Sequence, residues 1–251
     1  MVTRTWEDLE KGSSEEPFLL PVGSFEQHGY HAPLATDSII VKALADSVTS
    51  KTNAIRGPCV PVGVSDYHGS FTGTLWVPPA TLKRYLKEIV GSMGEHGFDK
   101  IIFVNGHGGN QGSLHELSRD LRKNKDIYAL VWTWFRAVSD LIEDLFDQPG
   151  YPSDNYGLHA DAVETSVLMA IDEKLVDQSK FKKSSENGSE KWYKFKEGAV
   201  SRYTVDSFSE SGVAGRDLKH ADPEKGEVLL ERSEEKLSNL VEWVKNDNEW
   251  R

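Results

Sequence analysis

Apolar residues in this chain fall into short continuous runs, separated by longer segments in which they recur every three or four positions. The first run, Phe18 to Val22 (FLLPV), ends at Gly23 and reads as a parallel strand buried on both faces, because such a strand has no polar side. From about Asp37 to Lys51 (DSIIVKALADSVTSK) the spacing turns helical, and Asp37 stands where an N-cap or a ligand could stand. AIRGPCVPVGV, from Ala54 to Val64, predicts a second strand, followed by a loop rich in Gly, Ser and Thr through SDYHGSFTGTLWVPP. A helix is predicted over Thr81–His96, capped by Thr81 and stopped by Gly97. The sharpest boundary comes next: Ile101 to Val104 run straight into Asn105-Gly106-His107-Gly108-Gly109-Asn110. A helix over about Gln111–Lys123, a strand in DIYALVWTW and a helix over about His159–Ile171 follow. Lys182 to Glu197 is rich in Lys, Glu and Ser and predicts an exposed excursion, and Pro223–Val244 predicts a last amphipathic helix with Pro near its first turn.

Strands alternating with helices predict an α/β fold, a mostly parallel sheet with helices on both faces. In such sheets ligands sit outside the carboxyl ends of the strands. The two polar clusters, Glu26 to Asp37 and Asn105 to Asn110, each follow a strand-like run and can share that edge. There is no internal repeat, linker or low-complexity tract, so a single domain over 1–251 is expected.

Composition narrows the partners. A formal net charge of −11 over 251 residues argues against nucleic acid, which wants clustered Lys and Arg. The single cysteine, Cys59, lies in an apolar run, so no intrachain disulfide exists and a reducing, cytoplasmic setting is expected. That setting also empties the sequon at Asn187. No stretch has the apolar length to span a bilayer, and the acidic start of the chain is unlike a signal peptide.

The candidate chemistry lies in Glu26, His28, Asp37, His107 and Glu164. Imidazoles and carboxylates without thiolates suit Zn, Mn, Fe and related divalent ions and argue against a structural zinc finger. Glu26 and His28 are two apart, so on extended backbone they point the same way. His107 lies among glycines, where backbone can approach a ligand closely. His159 and Glu164 are five apart and do not stack on a regular helix, which places His159 at the helix entry, turned back. Each residue alone is more ordinary than this: a solvated Glu, a structural His, a tight turn. Asn105 and Asn110 read as turn-shaping residues. In the loop after the second strand, Asp66, His68 and Trp76, with Ser65 and Tyr67, are the substrate-side candidates, although packing within the loop is the commoner use of a Trp.

PVGSFEQHGYHAPLATD and VNGHGGN resemble the two signature stretches of the creatininase (creatinine amidohydrolase) family. HADAVETS resembles its third, and GVAGRDLKHADPEKG the Gly-rich segment before its last helix. The resemblance implies a three-layer α/β/α sandwich, a site of two divalent ions (Zn, Fe or Mn), hydrolysis of a non-peptide C–N bond of a small molecule, and a homo-oligomer, often a hexamer. Carried over, it makes Glu26 and His107 ligands of one metal and His28 of the other, with Asp37 bridging. It places Glu164 at the second metal's shell or as a general base, and gives His159 the handling of protons, the donor to the leaving nitrogen. Creatininase proper has a Tyr-Glu pair after the His of the second stretch, and that Glu is a ligand. Here Gly108-Gly109 stand instead, so Glu164 becomes the simplest replacement and creatinine is displaced as the favoured substrate. Deformylation of a formylaminopyrimidine ribotide, on the way to flavin and deazaflavin, is the favoured reaction. Creatinine ring opening is the alternative within the family. A non-catalytic sugar- or nucleotide-binding protein whose NGHGGN turn receives an anion, or a structural oligomer subunit, are the alternatives outside it.

Overall fold

The structure, a computed structural model, describes residues 5–10, 15–125, 127–146, 159–189, 194–196, 199–201 and 204–246. Its centre is a four-stranded parallel sheet of β1 (Phe18–Val22), β2 (Ile55–Arg56), β3 (Lys100–Asn105) and β4 (Tyr128–Thr133), in the order β2-β1-β3-β4. The helices are α1 (Trp6–Glu10), α2 (Thr36–Lys51), α3 (Pro79–Glu95), α4 (Gln111–Lys125), α5 (Trp134–Ala137), α6 (Ser139–Phe146), α7 (Ala162–Ile171), α8 (Phe181–Glu186) and α9 (Pro223–Asn246). A separate antiparallel pair joins β5 (Lys194–Lys196) to β6 (Ala199–Ser201).

The period-two geometry of the strands sorts their side chains into two cores. Leu19, Ile102, Val104, Leu130 and Trp132 face α2, α7 and α9, which supply Leu44, Val167 and Leu237 among others. Phe18, Leu20, Val22, Ile101 and Phe103 face α3 and α4, with Leu82, Leu86, Leu114 and Leu121. This is the expected α/β/α layering. Each such side chain contributes about 1.5–3 kcal/mol on full burial. An exposed pair such as Arg84–Glu88 contributes at most about 1 kcal/mol, so the layers are held by their apolar faces.

After β1 the chain goes one way to β2, then returns past β1 to β3 on its other side. The strand order therefore reverses between β1 and β3, which run side by side from Phe18–Ile101 to Val22–Asn105. A crevice opens at the carboxyl ends of such a pair. Glu26 and His28 follow the end of β1, and His107 follows the end of β3.

Several expected boundaries move. The second strand is short: Pro58 and Pro61 lack the amide hydrogens a ladder needs, and only Ile55–Arg56 plus a bridge at Val60 pair with β1. Thr81 does not cap α3, which begins at Pro79, where a fixed φ suits the first turn; Gly97, at φ 85°, does end it. Asp37 is not a cap either, since α2 starts one residue earlier and Ala35 holds the cap position. His159 lies outside α7, whose cap is Asp161, accepting from the Val163 amide. The excursion expected over Lys182–Glu197 begins instead with α8, whose Ser184 is buried; residues 190–193 and 197 lie outside the described residues.

Helices α7 and α9 cross closely at Gly226, where a Cβ would come within 2.0 Å of the Ser166 carbonyl oxygen. Gly91 in α3 has open space around it. Gly226→Ala is expected to destabilise by about 1–3 kcal/mol through overpacking, and Gly91→Ala to stabilise by up to about 1 kcal/mol through helix propensity. Urea unfolding midpoints check both; equal effects at the two sites would contradict the close crossing.

Candidate metal centre

Three carboxylates and four imidazoles meet at the switch point, all buried: Glu26, Asp37, Glu164, His28, His68, His107 and His159. Glycines make this convergence possible. A Cβ at Gly23 would collide with the Ser38 backbone at 2.6 Å, and one at Gly106 with the Asp37 carbonyl oxygen at 2.7 Å. The ends of β1 and β3 thus lie directly on the first turn of α2, which carries Asp37. Asn105 and Asn110 tie the turns. Asn110 donates to the Gly23 carbonyl and accepts from the Val64 amide, while Asn105 accepts from the His107 amide.

Asp37 lies between two groups. Its Oδ2 is 3.3 Å from His107 Nδ1, which is 3.2 Å from Glu26 Oε1. Its Oδ1 is 3.5 Å from His28 Nε2, which is 3.7 Å from Glu164 Oε2. These separations lie at or beyond the long end of a good hydrogen bond. They match the edge of a tetrahedron of nitrogen and oxygen ligands about 2.0–2.2 Å from a zinc-sized ion, about 3.3 Å. Three of the facing atoms, Glu26 Oε1, His28 Nε2 and Asp37 Oδ2, are buried without a hydrogen-bond partner, as is His68 Nε2 beside Glu26. Unsatisfied buried groups of this kind are costly, and a cation would satisfy all three.

The imidazoles are oriented for ligation. His28 Nδ1 donates to the Glu26 carbonyl at 3.0 Å, and His107 Nε2 to the Val64 carbonyl at 2.9 Å. Each outward N–H fixes the tautomer that turns a lone pair inward. Without a cation, Asp37 and its neighbours favour the protonated rings. Burial pulls His28 down, but Asp37, Glu164 and Glu26 outweigh it and push it up to about 10. Burial likewise opposes, and Glu26 and Asp37 outweigh, for His107, pushed up to about 9. Burial pushes Glu26 up to about 7 and Glu164 up to about 8. Burial also opposes ionisation of Asp37, yet the facing His28 and His107 hold it well below the usual range.

His159 enters through strain. Ala160 has φ 52°, an uncommon left-handed value for a residue with a Cβ, and its amide donates to Glu164 Oε2 at 2.6 Å. Paired backbone bonds to Ala214 hold His159 on the other side. Its Nε2 donates to the Gln27 carbonyl at 2.8 Å, and its Nδ1 lies 3.6 Å from Glu26 Oε1. Burial, reinforced by His68 and His28, keeps it neutral, well below the usual imidazole range. The expected donor to the leaving nitrogen is thus a neutral imidazole here, which takes up a proton before it gives one.

Of the substrate-side candidates, His68 is fully buried with Nε2 3.2 Å from Glu26 Oε1, within the cluster and not at its mouth. Asp66 is exposed at the head of a short turn, and Trp76 is 45% exposed beside Gly69. Position 109 has no room for a side-chain ligand, since a Cβ there would sit 2.1 Å from the Val64 carbonyl oxygen and 2.8 Å from the Tyr67 hydroxyl. Sequence reasoning passed over Gln27 and Asp161. Both are polar and fully or nearly fully buried, and the Gly-rich segment at Gly212 and Gly215 makes room for them.

The model of the creatininase family, described as creatinine amidohydrolase, matches residues 3–241. A 3-dehydro-scyllo-inosose hydrolase of Thermotoga maritima is 30% identical over 61% of this chain and 49% of its own length. A mycofactocin precursor peptide peptidase of Mycolicibacterium smegmatis is 41% identical over 38% of this chain and 41% of its own. The chain thus spans about half or less of the length of these relatives. A creatinine amidohydrolase of Pseudomonas putida is 28% identical over 69% of this chain and 72% of its own length. Among solved structures, a manganese form of creatininase superposes with a TM-score of 0.81 at 22% identity over 98% of both chains. A creatininase variant of zinc–zinc type gives 0.82 at 22%, also over 98% of both. At that identity the likeness establishes the fold.

If the cluster takes up metal, its protonated ligands must release their protons. At pH 7 His28 and His107 hold theirs, and zinc binding is expected to liberate about two or more protons per chain. Calorimetric titration with zinc in buffers of different ionisation enthalpy reads that number; none released would contradict the ligand assignment.

Proposed function

The chain belongs to the creatininase family, and from that premise we propose that its buried cluster holds two divalent cations and hydrolyses a non-peptide C–N bond of a small molecule. The observation that carries this is Asp37, its two oxygens turned to separate sets of imidazole and carboxylate ligands. Glu26 and His107 would hold one ion, His28 and Glu164 the other, and Asp37 both. Zinc, manganese and iron all suit this donor set. When bound, such ions lower the pKa of water from about 15.7 to about 7 and polarise a carbonyl.

The chain's own groups then do the proton work. The inward Nδ1 of His159 accepts a proton as water attacks the carbonyl carbon. The same nitrogen returns it to the leaving nitrogen, which cannot depart as an anion. The outward Nε2–H, held by the Gln27 carbonyl, keeps Nδ1 as the working atom. Asp66 and Trp76 stand as substrate contacts in the loop after β2.

For the substrate, deformylation of a formylaminopyrimidine ribotide is the favoured reaction, with creatinine ring opening as the alternative. The lack of space for a ligand at position 109 supports the first, because it departs from the Tyr-Glu pattern of creatininase proper. The relatives' names point to three different substrates and do not decide. The hexamer and the cytoplasmic setting belong to the same proposal. No helix among the described residues is long and apolar enough to cross a membrane.

The test is turnover of the ribotide, creatinine and short peptides by protein loaded with zinc, manganese or iron. Release of formate from the ribotide is expected. His159→Ala should keep its metal and lose about 10²–10⁴-fold in kcat. Turnover of none of the substrates, or full activity in His159→Ala, would overturn the assignment.

A further inference from the structure

Gln27 reaches two of the four imidazoles without being a candidate ligand itself. Its Nε2 lies 2.8 Å from His68 Nδ1 and 2.7 Å from His159 Nε2. Backbone groups fix which way its amide faces. The Gly29 amide, which can only donate, lies 3.0 Å from Gln27 Oε1. The Gly212 carbonyl, which can only accept, lies 3.1 Å from Gln27 Nε2. Turning the amide over would set two donors against each other at Gly29 and two acceptors at Gly212. Gly212, at φ 84°, is shaped to this role: a Cβ there would fall 1.8 Å from Gln27 Oε1.

With the amide so fixed, its two hydrogens go to the Gly212 carbonyl and to His68 Nδ1. A nitrogen that accepts a hydrogen carries none, so the proton of a neutral His68 is on Nε2, the atom 3.2 Å from Glu26 Oε1. His159 is fixed in a different way, since its Nε2–H goes to the Gln27 backbone carbonyl. With that proton on Nε2, the 2.7 Å approach to Gln27 Nε2 sets two N–H groups against each other, so neither amide hydrogen serves His159.

We propose that Gln27 is a positioning residue that fixes His68 with its proton on Nε2, the atom turned toward Glu26 Oε1, so that His68 lies beside a metal-binding carboxylate and is not itself a ligand. His68, Glu26 and His159 stand close enough together to look like a third metal site. A His68 ring with Nε2 protonated removes that possibility, because the atom facing Glu26 has no lone pair to give. The split among the four rings follows: His159, and His28 and His107 once they release their protons, turn acceptor nitrogens inward, and His68 turns an N–H inward. That Glu26 is a metal ligand rests on the proposed two-cation centre; the tautomer of His68 does not.

The test is 15N NMR of protein labelled at histidine, before and after zinc addition. In the wild-type protein His68 is expected to be protonated at Nε2 and bare at Nδ1, and zinc should leave it so. In Gln27→Glu the donor is replaced by an acceptor, so a proton should appear on His68 Nδ1, while His159, held by the backbone, keeps its state. His68→Ala should retain metal at about 10-fold weaker zinc affinity, the size of effect expected for a residue that orients a ligand. A bare Nε2 on His68 in wild-type protein, a zinc-induced shift marking ligation at that nitrogen, or an unchanged His68 in folded Gln27→Glu would each overturn the proposal. If Gln27→Glu does not fold, the wild-type spectra decide alone. Should zinc fail to bind while the His68 proton stays on Nε2, the two-cation reading falls and the assignment of Gln27 stands.

Discussion

Three carboxylates buried together need a reason to stay charged. Water cannot supply it, since Glu26, Asp37 and Glu164 are nearly or wholly removed from solvent. Desolvating one ion costs several kcal/mol even after the protein relaxes, and facing imidazoles offset this only in part. The structure reflects the shortfall: Glu26 and Glu164 are pushed toward protonation, while Asp37 stays ionised only against protonated His28 and His107. A pair of divalent cations would replace the missing solvation for all three, and the orphaned Glu26, His28 and Asp37 atoms mark where they would act.

The fold makes such a costly cluster tolerable. Two apolar cores, one on each face of the sheet, provide the stability that the centre withdraws. The strand reversal between β1 and β3 opens the crevice, and Gly23 and Gly106 let both strand ends meet the first turn of α2. The left-handed Ala160 then turns His159 back toward Glu26. A strained backbone at such a place is held by its surroundings, which are the Ala214 bridge on one side and Glu164 on the other.

Much of this is legible in the sequence. β1 and β3 are plain because strands buried on both faces leave uninterrupted apolar runs, and the polar residues after them fall at the sheet edge by topology alone. Glu26, His28, Asp37, His107 and Glu164 are reached through their residue types, and Asp37, Glu26 and His107 do meet. The second strand reads too long because its apolar character masks the two prolines. The helix α8 is hidden because the residue it buries is Ser184, in a segment whose composition is that of a surface. The link between Gln27 and His68 escapes for a different reason. Its contacts span 41 residues between the two and 185 from Gln27 to Gly212, and no local pattern records a hydrogen bond at that separation.

Anomalous scattering from a crystal grown with zinc would test the centre most directly. Two peaks about 3.5–4 Å apart are expected, one on each side of Asp37, with His107 and Glu26 at the first and His28 and Glu164 at the second. A lone peak among Glu26, His68 and His159, or none in zinc-saturated protein, would contradict a cluster built to hold a bridged pair of ions.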